Sequence, residues 1–268
     1  MGIRQGRDRH ARTGGRDLSA LPGTTGRRRI FLMRHGHVDY FSEEVRRTRD
    51  IHNVPLTPLG REQADAAGRA LAHVPLDRAV CSGYPRTRET AECVLRHQAC
   101  APALEIEPDL VEIHGGTPSA AKSREEIAAR LAFMFEIAHE PGATQFEGGE
   151  AFVSVLERGS RAIKRLLAAP DWKQILVVAH EGINRVMLSW MAGAGLHAAK
   201  AFEQDTACIN VIDFDMVPAA DGSLTPEIAR IMLKSINLTP YNYVKHGMNM
   251  TSLESIFARD PHEDARAR

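Results

Sequence analysis

Short apolar runs alternate with longer amphipathic segments from Ile30 onward, and this alternation constrains the fold more than any other feature of the chain. Residues 175–179 are continuously apolar, which is typical of a central strand buried on both faces of a sheet. Short strands separated by helical segments indicate βα units, in which helices cover a mainly parallel sheet. The pattern therefore predicts one α/β domain over residues 30–250.

The limits of the predicted elements follow from apolar spacing and from helix-start signals. Thr57 is a suitable N-cap, Pro58 suits a first helical turn, and Pro85 opens the next helix. The predicted strands are residues 30–33, 78–82, 104–107, 175–179, 208–214 and 229–236. The predicted helices are residues 58–73, 85–96, 123–139, 149–168 and 183–191.

Both ends of the chain differ from this pattern. Residues 1–29 contain eight arginines and almost no large apolar side chains, so we expect a disordered basic N-terminal extension. An organellar transit segment or a nucleic-acid arm would be alternatives, although the amphipathic pattern of a transit peptide is missing. Residues 251–268 end in a charged stretch, and we expect a frayed C-terminal tail.

Composition excludes several classes of partner. The 34 basic residues balance the 34 acidic ones, so no net charge favours nucleic acid or a membrane surface. No apolar run approaches the roughly 18 residues that a membrane helix needs. The four cysteines form no C-x-x-C pair and are read as reduced structural thiols. We expect a cytoplasmic protein that binds neither membrane nor nucleic acid.

Basic residues follow three of the predicted strands. Arg34 and His35 follow the first strand, Arg86 lies just after the second, and His180 follows the central one. In an open α/β sheet the ends of such strands meet at one crevice. Guanidinium groups match phosphate oxygens in pairs. The sequence therefore predicts a pocket for a phosphoryl group.

Five segments, in order, resemble the histidine phosphatase (phosphoglycerate mutase-like) superfamily. They cover most of the chain, from about residue 30 to about residue 240. The segments are Arg34-His35-Gly36, the L-T-x-x-G-x-x-Q-A run at 56–64, the S-x-x-x-R-x-x-x-T-A run at 82–91, Leu110-Val111-Glu112-Ile113, and the segment 177–182 that carries His180-Glu181-Gly182.

This resemblance implies a phosphoglycerate mutase-like fold, a three-layer sandwich with a mostly parallel central sheet flanked by helices. It implies that His35 is the nucleophile and that Glu112 is the general acid. The phosphoryl oxygens would be held by Arg34, Arg86 and His180, with Glu181 and Gly182 in the turn beside them. His35 would need an orienting partner for its other nitrogen, which we expect to be a backbone carbonyl. No metal or other cofactor is required, because the arginines supply the positive charge.

The chain departs from the family pattern after Gly36. Many members continue with a Glu-Thr-x-x-Asn sequence whose asparagine helps to hold the phosphate, whereas this chain reads His-Val-Asp-Tyr-Phe. Asn53 could partly replace that contact. The assignment of Glu112 also has competitors nearby: Glu107, Asp109, Glu147 and Glu150. His37, His52 and His114 follow no metal-ligand spacing, so no metal site is predicted.

The predicted function is hydrolysis of a small phosphorylated metabolite through a phosphohistidine, as a phosphoric monoester hydrolase of the histidine acid phosphatase type. The alternatives are phosphoryl transfer of the phosphoglycerate mutase type and a non-catalytic protein that binds a phosphorylated ligand. Specificity is assigned to a helical lid insertion at about residues 117–150, which contains Lys122, Arg124, Phe133, Phe135 and Phe146. The apolar closing strands would permit a homodimer.

Overall fold

A six-stranded sheet lies between two layers of helices in the computed structural model of the protein. The structure describes residues 26–40, 42–48, 50–117, 124–218 and 227–246. The strands are β1 (Gly26–Arg34), β2 (Arg78–Cys81), β3 (Leu104–Ile106), β4 (Gln174–Ala179), β5 (Ile209–Val217) and β6 (Glu227–Leu238). Their order across the sheet is β3-β2-β4-β1-β5-β6. The first four of these are parallel, whereas β5 and β6 pair in antiparallel fashion.

Six α-helices surround this sheet in the described part of the chain: α1 (Glu43–Thr48), α2 (Pro58–Leu71), α3 (Pro85–Leu95), α4 (Arg124–Phe133), α5 (Phe152–Ala168) and α6 (Glu181–Met191). Two short 3₁₀ turns lie at Pro108–Leu110 and Ala199–Ala201. The N-cap of α2 is Thr57, whose hydroxyl accepts from the amide of Gly60 at 3.1 Å. The predicted helix start at Pro58 is thus confirmed.

The alternation of side chains along β1 explains why the sheet is covered on both faces. Ile30 and Leu32 pack on the side of α5 and α6, whereas Phe31 and Met33 pack on the side of α2 and α3. Successive residues of a strand point to opposite faces, so a continuous apolar run requires a helical layer on each side. The predicted three-layer α/β sandwich with a mostly parallel sheet is confirmed.

The first strand begins earlier than predicted. Residues 26–29 belong to β1, so their assignment to a disordered extension is wrong. Arg27 pairs with Asp215, and Arg29 pairs with Asp213, at 2.7 and 2.6 Å, directly across the antiparallel ladder. Ion pairs with the neighbouring strand thus replace the apolar contacts that the prediction required. Residues 1–25 and 251–268 lie outside the described residues.

The region assigned to a lid also differs from its prediction. The helix within it ends at Phe133, whereas the predicted helix ran to residue 139. Phe135 and Phe146 are buried, and Phe135 belongs to the main apolar cluster, so they do not line an open mouth. Phe133 remains exposed. Lys122 lies outside the described residues.

Two further observations concern the whole described chain. None of its helices has the length and apolar character needed to cross a bilayer. All four cysteines are free thiols, three of them buried.

The Arg29–Asp213 pair generates a prediction about stability. Replacing Arg29 with methionine should lower the free energy of unfolding by about 2 kcal/mol, because Asp213 is 1% exposed and would lose its partner. This is less than a fully buried pair would lose, since Arg29 is 26% exposed. Urea unfolding provides the measurement. Arg61→Met, which breaks the exposed pair with Glu89, should change it by less than about 1 kcal/mol. Equal losses in the two variants would contradict the prediction.

Candidate active site

Two histidines lie at the carboxyl ends of neighbouring parallel strands. His35 follows β1 and His180 follows β4, and the register pairs Arg34 with Ala179, the residues just before them. The ring centroids are 5.3 Å apart, with an interplanar angle of 68°. Both histidines are buried, as are Arg34 and Arg86. The four basic residues therefore lie together at the carboxyl ends of the parallel strands, as their positions after the predicted strands indicated.

The imidazole of His35 is oriented by a main-chain carbonyl, as expected. Its Nδ1 lies 2.7 Å from the carbonyl oxygen of Gly36, and because a carbonyl can only accept, Nδ1 carries the proton. In the neutral ring, Nε2 then keeps its lone pair. The backbone is held on both sides: the amide of His35 donates to Ala179 at 3.1 Å, and its carbonyl accepts from Ala207 at 3.0 Å.

The surroundings of both imidazoles favour the neutral form. Burial lowers the pKa of His35 well below the ordinary 6.5, and the charges of Arg86 and Arg34 lower it further. Burial also lowers the pKa of His180 well below 6.5, together with the charges of His35 and both arginines. A neutral His35 has a lone pair available at ordinary pH, as a nucleophilic nitrogen requires.

A chain of hydroxyl groups determines the tautomer of His180. Thr87 Oγ1 donates to the carbonyl of Tyr84 at 2.9 Å, so it accepts from Ser82 Oγ at 3.0 Å. Ser82 Oγ has then used its proton and accepts from His180 Nε2 at 2.8 Å. Nδ1 of His180 is buried without a hydrogen-bond partner in the described part of the chain. That nitrogen can donate to an anion only when the ring is protonated.

Gly36 and Gly60 bring two of the sequence motifs together, backbone against backbone. A Cβ on Gly36 would overlap the carbonyl oxygen of Gly60, and a Cβ on Gly60 would overlap that of His37. The amide of Gly36 also donates to Thr90 Oγ1 at 3.0 Å, which donates to the carbonyl of Arg86 at 2.7 Å. The first turn of α2 and Thr90 of α3 are thus fixed against the residues that follow β1.

Arg86 lies in the first turn of α3, between two tyrosine rings. The guanidinium carbon is 4.8 Å from the ring centre of Tyr84 and 5.9 Å from that of Tyr40. One terminal nitrogen donates to the carbonyls of Ile51 and His52, at 3.3 and 3.1 Å. Nε is buried and has no partner among the residues that the structure describes. Arg86 therefore keeps a donor for a ligand while it holds residues 51 and 52.

Arg34 is held by a carbonyl and by a carboxylate. One terminal nitrogen donates to the carbonyl of Gln204 at 2.5 Å, and the other pairs with Glu181 at 3.1 Å. Glu181 also pairs with Arg185 at 3.3 Å. Glu181 was predicted to bind the phosphate, but a carboxylate repels an anion, and the structure shows that it binds the arginine instead. It offsets part of the positive charge in the site.

Glu112 reaches the N-terminus of α6. Its Oε2 accepts from the amide of Gly182 at 3.1 Å, and its Oε1 accepts from Ile183 at 3.1 Å and Ile113 at 2.9 Å. Amides at a helix N-terminus favour an anion. A Cβ on Gly182 would lie 2.8 Å from Oε1, so glycine permits this approach. The amide of Gly182, predicted to bind phosphate, is already bound to Glu112 in this structure.

Arg158 of α5 braces the loop that carries Glu112. One nitrogen donates to the carbonyls of Asp109 and Val111 at 2.7 and 2.8 Å, and another donates to that of Glu112 at 3.3 Å. The same guanidinium binds Glu150 at 2.6 and 2.9 Å. The position of the loop that carries Glu112 therefore depends on a side chain of α5.

Most of the carboxylates that compete with Glu112 are already bound to arginines. Glu107 and Asp109 both pair with Arg165, at 2.7 and 2.9 Å, and Glu150 pairs with Arg158. Glu147 is exposed. These contacts leave Glu112 as the carboxylate that reaches the helix beginning after His180.

Asn53 lies in an exposed turn. Its side chain is exposed, and its backbone amide donates to the carboxylate of Asp50 at 3.1 Å within a turn. It lines a surface cavity with Asp39 and Asp50, and the lining of that cavity includes none of the four basic residues. That Asn53 replaces the family asparagine stays a prediction.

The three histidines considered for a metal site contact different groups. His37 Nδ1 is 2.8 Å from Thr57 Oγ1, the ring of His52 packs against Tyr84, and His114 is exposed. Across the described ranges, no set of three or more histidine, cysteine or acidic side chains is arranged to hold a metal ion.

Comparison with known families gives a decisive match. Residues 30–217 match the model of the histidine phosphatase superfamily, branch 1. The chain belongs to this superfamily. The matched residues include the complete set of basic side chains, Glu112 and the strands that position them.

Individual relatives of this histidine phosphatase are distant. An adenosylcobalamin/alpha-ribazole phosphatase of Salmonella typhimurium is 29% identical over 69% of this chain and 90% of its own length. A protein of Proteus mirabilis named "Probable phosphoglycerate mutase GpmB" is 23% identical over 70% of this chain and 86% of its own. The structure of a mycobacterial glucosyl-3-phosphoglycerate phosphatase superposes with a TM-score of 0.60, covering 79% of this chain and 99% of its own, at 21% identity.

Several residues of the site were not predicted to have a role there. Ser82 and Thr87 lie inside a recognised motif, and their hydroxyl groups beside Arg86 were a usable signal. Arg158 had no such signal, because nothing in a helical sequence shows which arginine turns towards a loop. Tyr40 had no such signal either, because it lies in the segment after Gly36 that departs from the family pattern.

The lowered pKa values predict how stability depends on pH. Between pH 6.5 and the lower folded-state values, the unfolded chain binds more protons at His35 and His180 than the folded one, so acid favours unfolding. The free energy of unfolding should fall from about pH 7.5 to about pH 5.5. In His180→Gln this slope should decrease by up to about 1.4 kcal/mol per pH unit. Urea titrations across the pH range measure it; identical slopes in variant and wild type would refute the assignment.

Proposed function

We propose that this histidine phosphatase is a metal-independent phosphomonoesterase that forms a phosphohistidine on His35. The observation that carries the proposal is a buried imidazole whose Nδ1 is bound to a carbonyl, beside two buried arginines, in surroundings that lower its pKa. Such a ring offers the lone pair of Nε2 to phosphorus. The guanidinium groups supply the positive charge that a metal ion would otherwise provide.

In the first step, the lone pair of His35 Nε2 forms a bond to phosphorus while the ester P–O bond breaks. The negative charge on the three non-bridging oxygens is balanced by Arg34, by Arg86 and by a His180 that gains a proton as the dianion binds. The hydrogen bond from Nδ1 to the carbonyl of Gly36 stabilises the positive ring that forms.

Glu112 serves as the proton carrier in both steps. It protonates the leaving oxygen as the ester bond breaks, and its carboxylate then accepts a proton from the water that attacks phosphorus. The P–N bond breaks and its electrons return to Nε2, which restores His35.

The substrate class proposed is a small phosphorylated metabolite in the cytoplasm. The relatives support this class, because those with phosphatase names act on a ribazole phosphate and on a glucosyl phosphoglycerate. The acid phosphatase subtype stays a prediction.

Mutase activity is the second candidate, favoured by the relative from Proteus mirabilis. It requires the phosphohistidine to pass its phosphoryl group to a second substrate hydroxyl instead of water. The two reactions are distinguished by supplying phosphoglycerate and measuring inorganic phosphate against the isomeric ester. We expect inorganic phosphate as the main product of the phosphatase.

The nucleophile can be tested with p-nitrophenyl phosphate in the presence of EDTA. We expect turnover in the wild type that chelation does not reduce, together with an acid-labile, base-stable phosphoprotein labelled at His35. His35→Ala should lose both the turnover and the label. His97→Ala is the matched control, because half-buried His97 binds Asp65 at 2.5 Å and has no role in the proposed mechanism.

Two results would count against this mechanism. Loss of turnover on chelation would show that a metal ion is needed. The absence of both turnover and label in the wild type would favour a protein that only binds a phosphorylated ligand.

The role of Glu112 makes a separate prediction that depends on the leaving group. Glu112→Gln should slow hydrolysis of an alkyl phosphate by roughly 10²- to 10⁴-fold, because an alkoxide leaves poorly without a proton. Hydrolysis of p-nitrophenyl phosphate should suffer much less, since nitrophenolate leaves without one. Glu157→Gln, at an exposed carboxylate of α5, is the control. An equal loss with both substrates would remove Glu112 from the role of acid.

A further inference from the structure

Tyr40 brings a hydroxyl group to the pocket that none of the roles above uses. Its ring packs against the apolar cluster that includes Val38, Val54 and Leu56, which fixes the ring in position. The guanidinium of Arg86 lies over the ring, 5.9 Å from its centre. Within the described part of the chain, no hydrogen bond engages this hydroxyl. The phenol oxygen is therefore held near the phosphate site with its hydrogen-bonding capacity unused.

The charges around Tyr40 locate its hydroxyl more closely. Burial raises the pKa of the phenol, the charges of Arg86 and Arg34 lower it, and those of Glu112 and Glu181 raise it. The hydroxyl is thus within electrostatic range of both arginines and both carboxylates. Because the pKa stays above the ordinary 10.0, the phenol keeps its proton at neutral pH and acts as a donor.

A bound phosphoryl group could accept one more hydrogen bond from an uncharged donor. A phosphoryl group in transfer spreads charge over three non-bridging oxygens, each of which accepts more than one hydrogen bond. Arg34, Arg86 and His180 supply charged donors, and a further buried cation would carry a large desolvation cost. A phenol adds a hydrogen bond without adding a charge. Asn53, which was expected to supply the neutral donor, lies in an exposed turn.

We propose that Tyr40 is a catalytic residue whose hydroxyl donates a hydrogen bond to a phosphoryl oxygen of the bound ester and of the transfer transition state. The inference rests on the proposed function and deepens it. It assigns a contact with the phosphoryl group to the segment after Gly36, which departs from the family pattern.

Tyr40→Phe removes the oxygen and keeps the ring, so packing and the contact with Arg86 are preserved. Orthovanadate serves as the probe for the transfer geometry, with affinity measured by calorimetry. We expect the variant to bind orthovanadate roughly 10- to 100-fold more weakly, as for the loss of a hydrogen bond to a charged group. The kcat/KM for p-nitrophenyl phosphate should fall by a similar factor. Tyr243→Phe is the matched control, because Tyr243 is 60% exposed.

The possible outcomes separate this inference from the proposed function. Wild-type turnover with an unchanged Tyr40→Phe variant overturns the role of Tyr40 and leaves the phosphatase intact. An unchanged orthovanadate affinity, with a loss of rate only for alkyl esters, also overturns it, because the hydroxyl would then act through Glu112. If the wild type shows no turnover, the proposed function fails. The orthovanadate affinities of variant and wild type still decide whether the hydroxyl contacts the phosphoryl oxygens.

Discussion

The adjacency of β1 and β4 is the constraint on which the site depends. These strands are parallel neighbours at the centre of the sheet, and their ladder continues for one more hydrogen bond, from the amide of His35 to Ala179. Because both strands end at the same level, the residues that follow them, His35 and His180, come within 5.3 Å. A shift of register by one residue would turn one imidazole to the opposite face of the sheet. The buried apolar runs of the two strands prevent such a shift, so the hydrophobic core determines the relative position of the two histidines.

The charge balance of the pocket follows from that geometry. Four basic groups lie together and are buried, and four positive charges at this distance would be strongly unfavourable. The conflict is relieved in two ways: both histidines are held in their neutral form, and Glu181 pairs with Arg34. In the proposed mechanism an arriving phosphate dianion reverses the balance, because its negative charge favours a protonated His180, whose Nδ1 can then donate a hydrogen bond to a phosphoryl oxygen. The same burial that favours a neutral His35, as the proposed nucleophile requires, therefore also suits the proposed binding of an anion.

The sequence was sufficient for the fold and for the four basic residues because both depend on local, repeated signals. Apolar runs determined the strands, and the motifs place basic side chains at the ends of those strands. The errors arose where a long-range contact decides the outcome. Arg27 and Arg29 look like a solvated tail until Asp215 and Asp213 are known to lie opposite them, although an Asp-x-Asp spacing within a strand matches their own alternation. The surroundings of Asn53 likewise depend on a contact that the pattern does not show, since Asp50 closes the turn in which it lies.

The start of α6 joins the two halves of the proposed mechanism. His180 immediately precedes this helix, and Glu112 accepts hydrogen bonds from its first free amides. The residue that binds the phosphoryl group and the residue that moves protons are thus connected through a few backbone atoms. Arg158 extends this connection to α5 by binding three carbonyls of the loop that carries Glu112. Rigid elements, and not the loop alone, therefore keep the acid at a constant distance from the bound phosphate. Such control is needed because a proton must reach the leaving oxygen as the ester bond breaks.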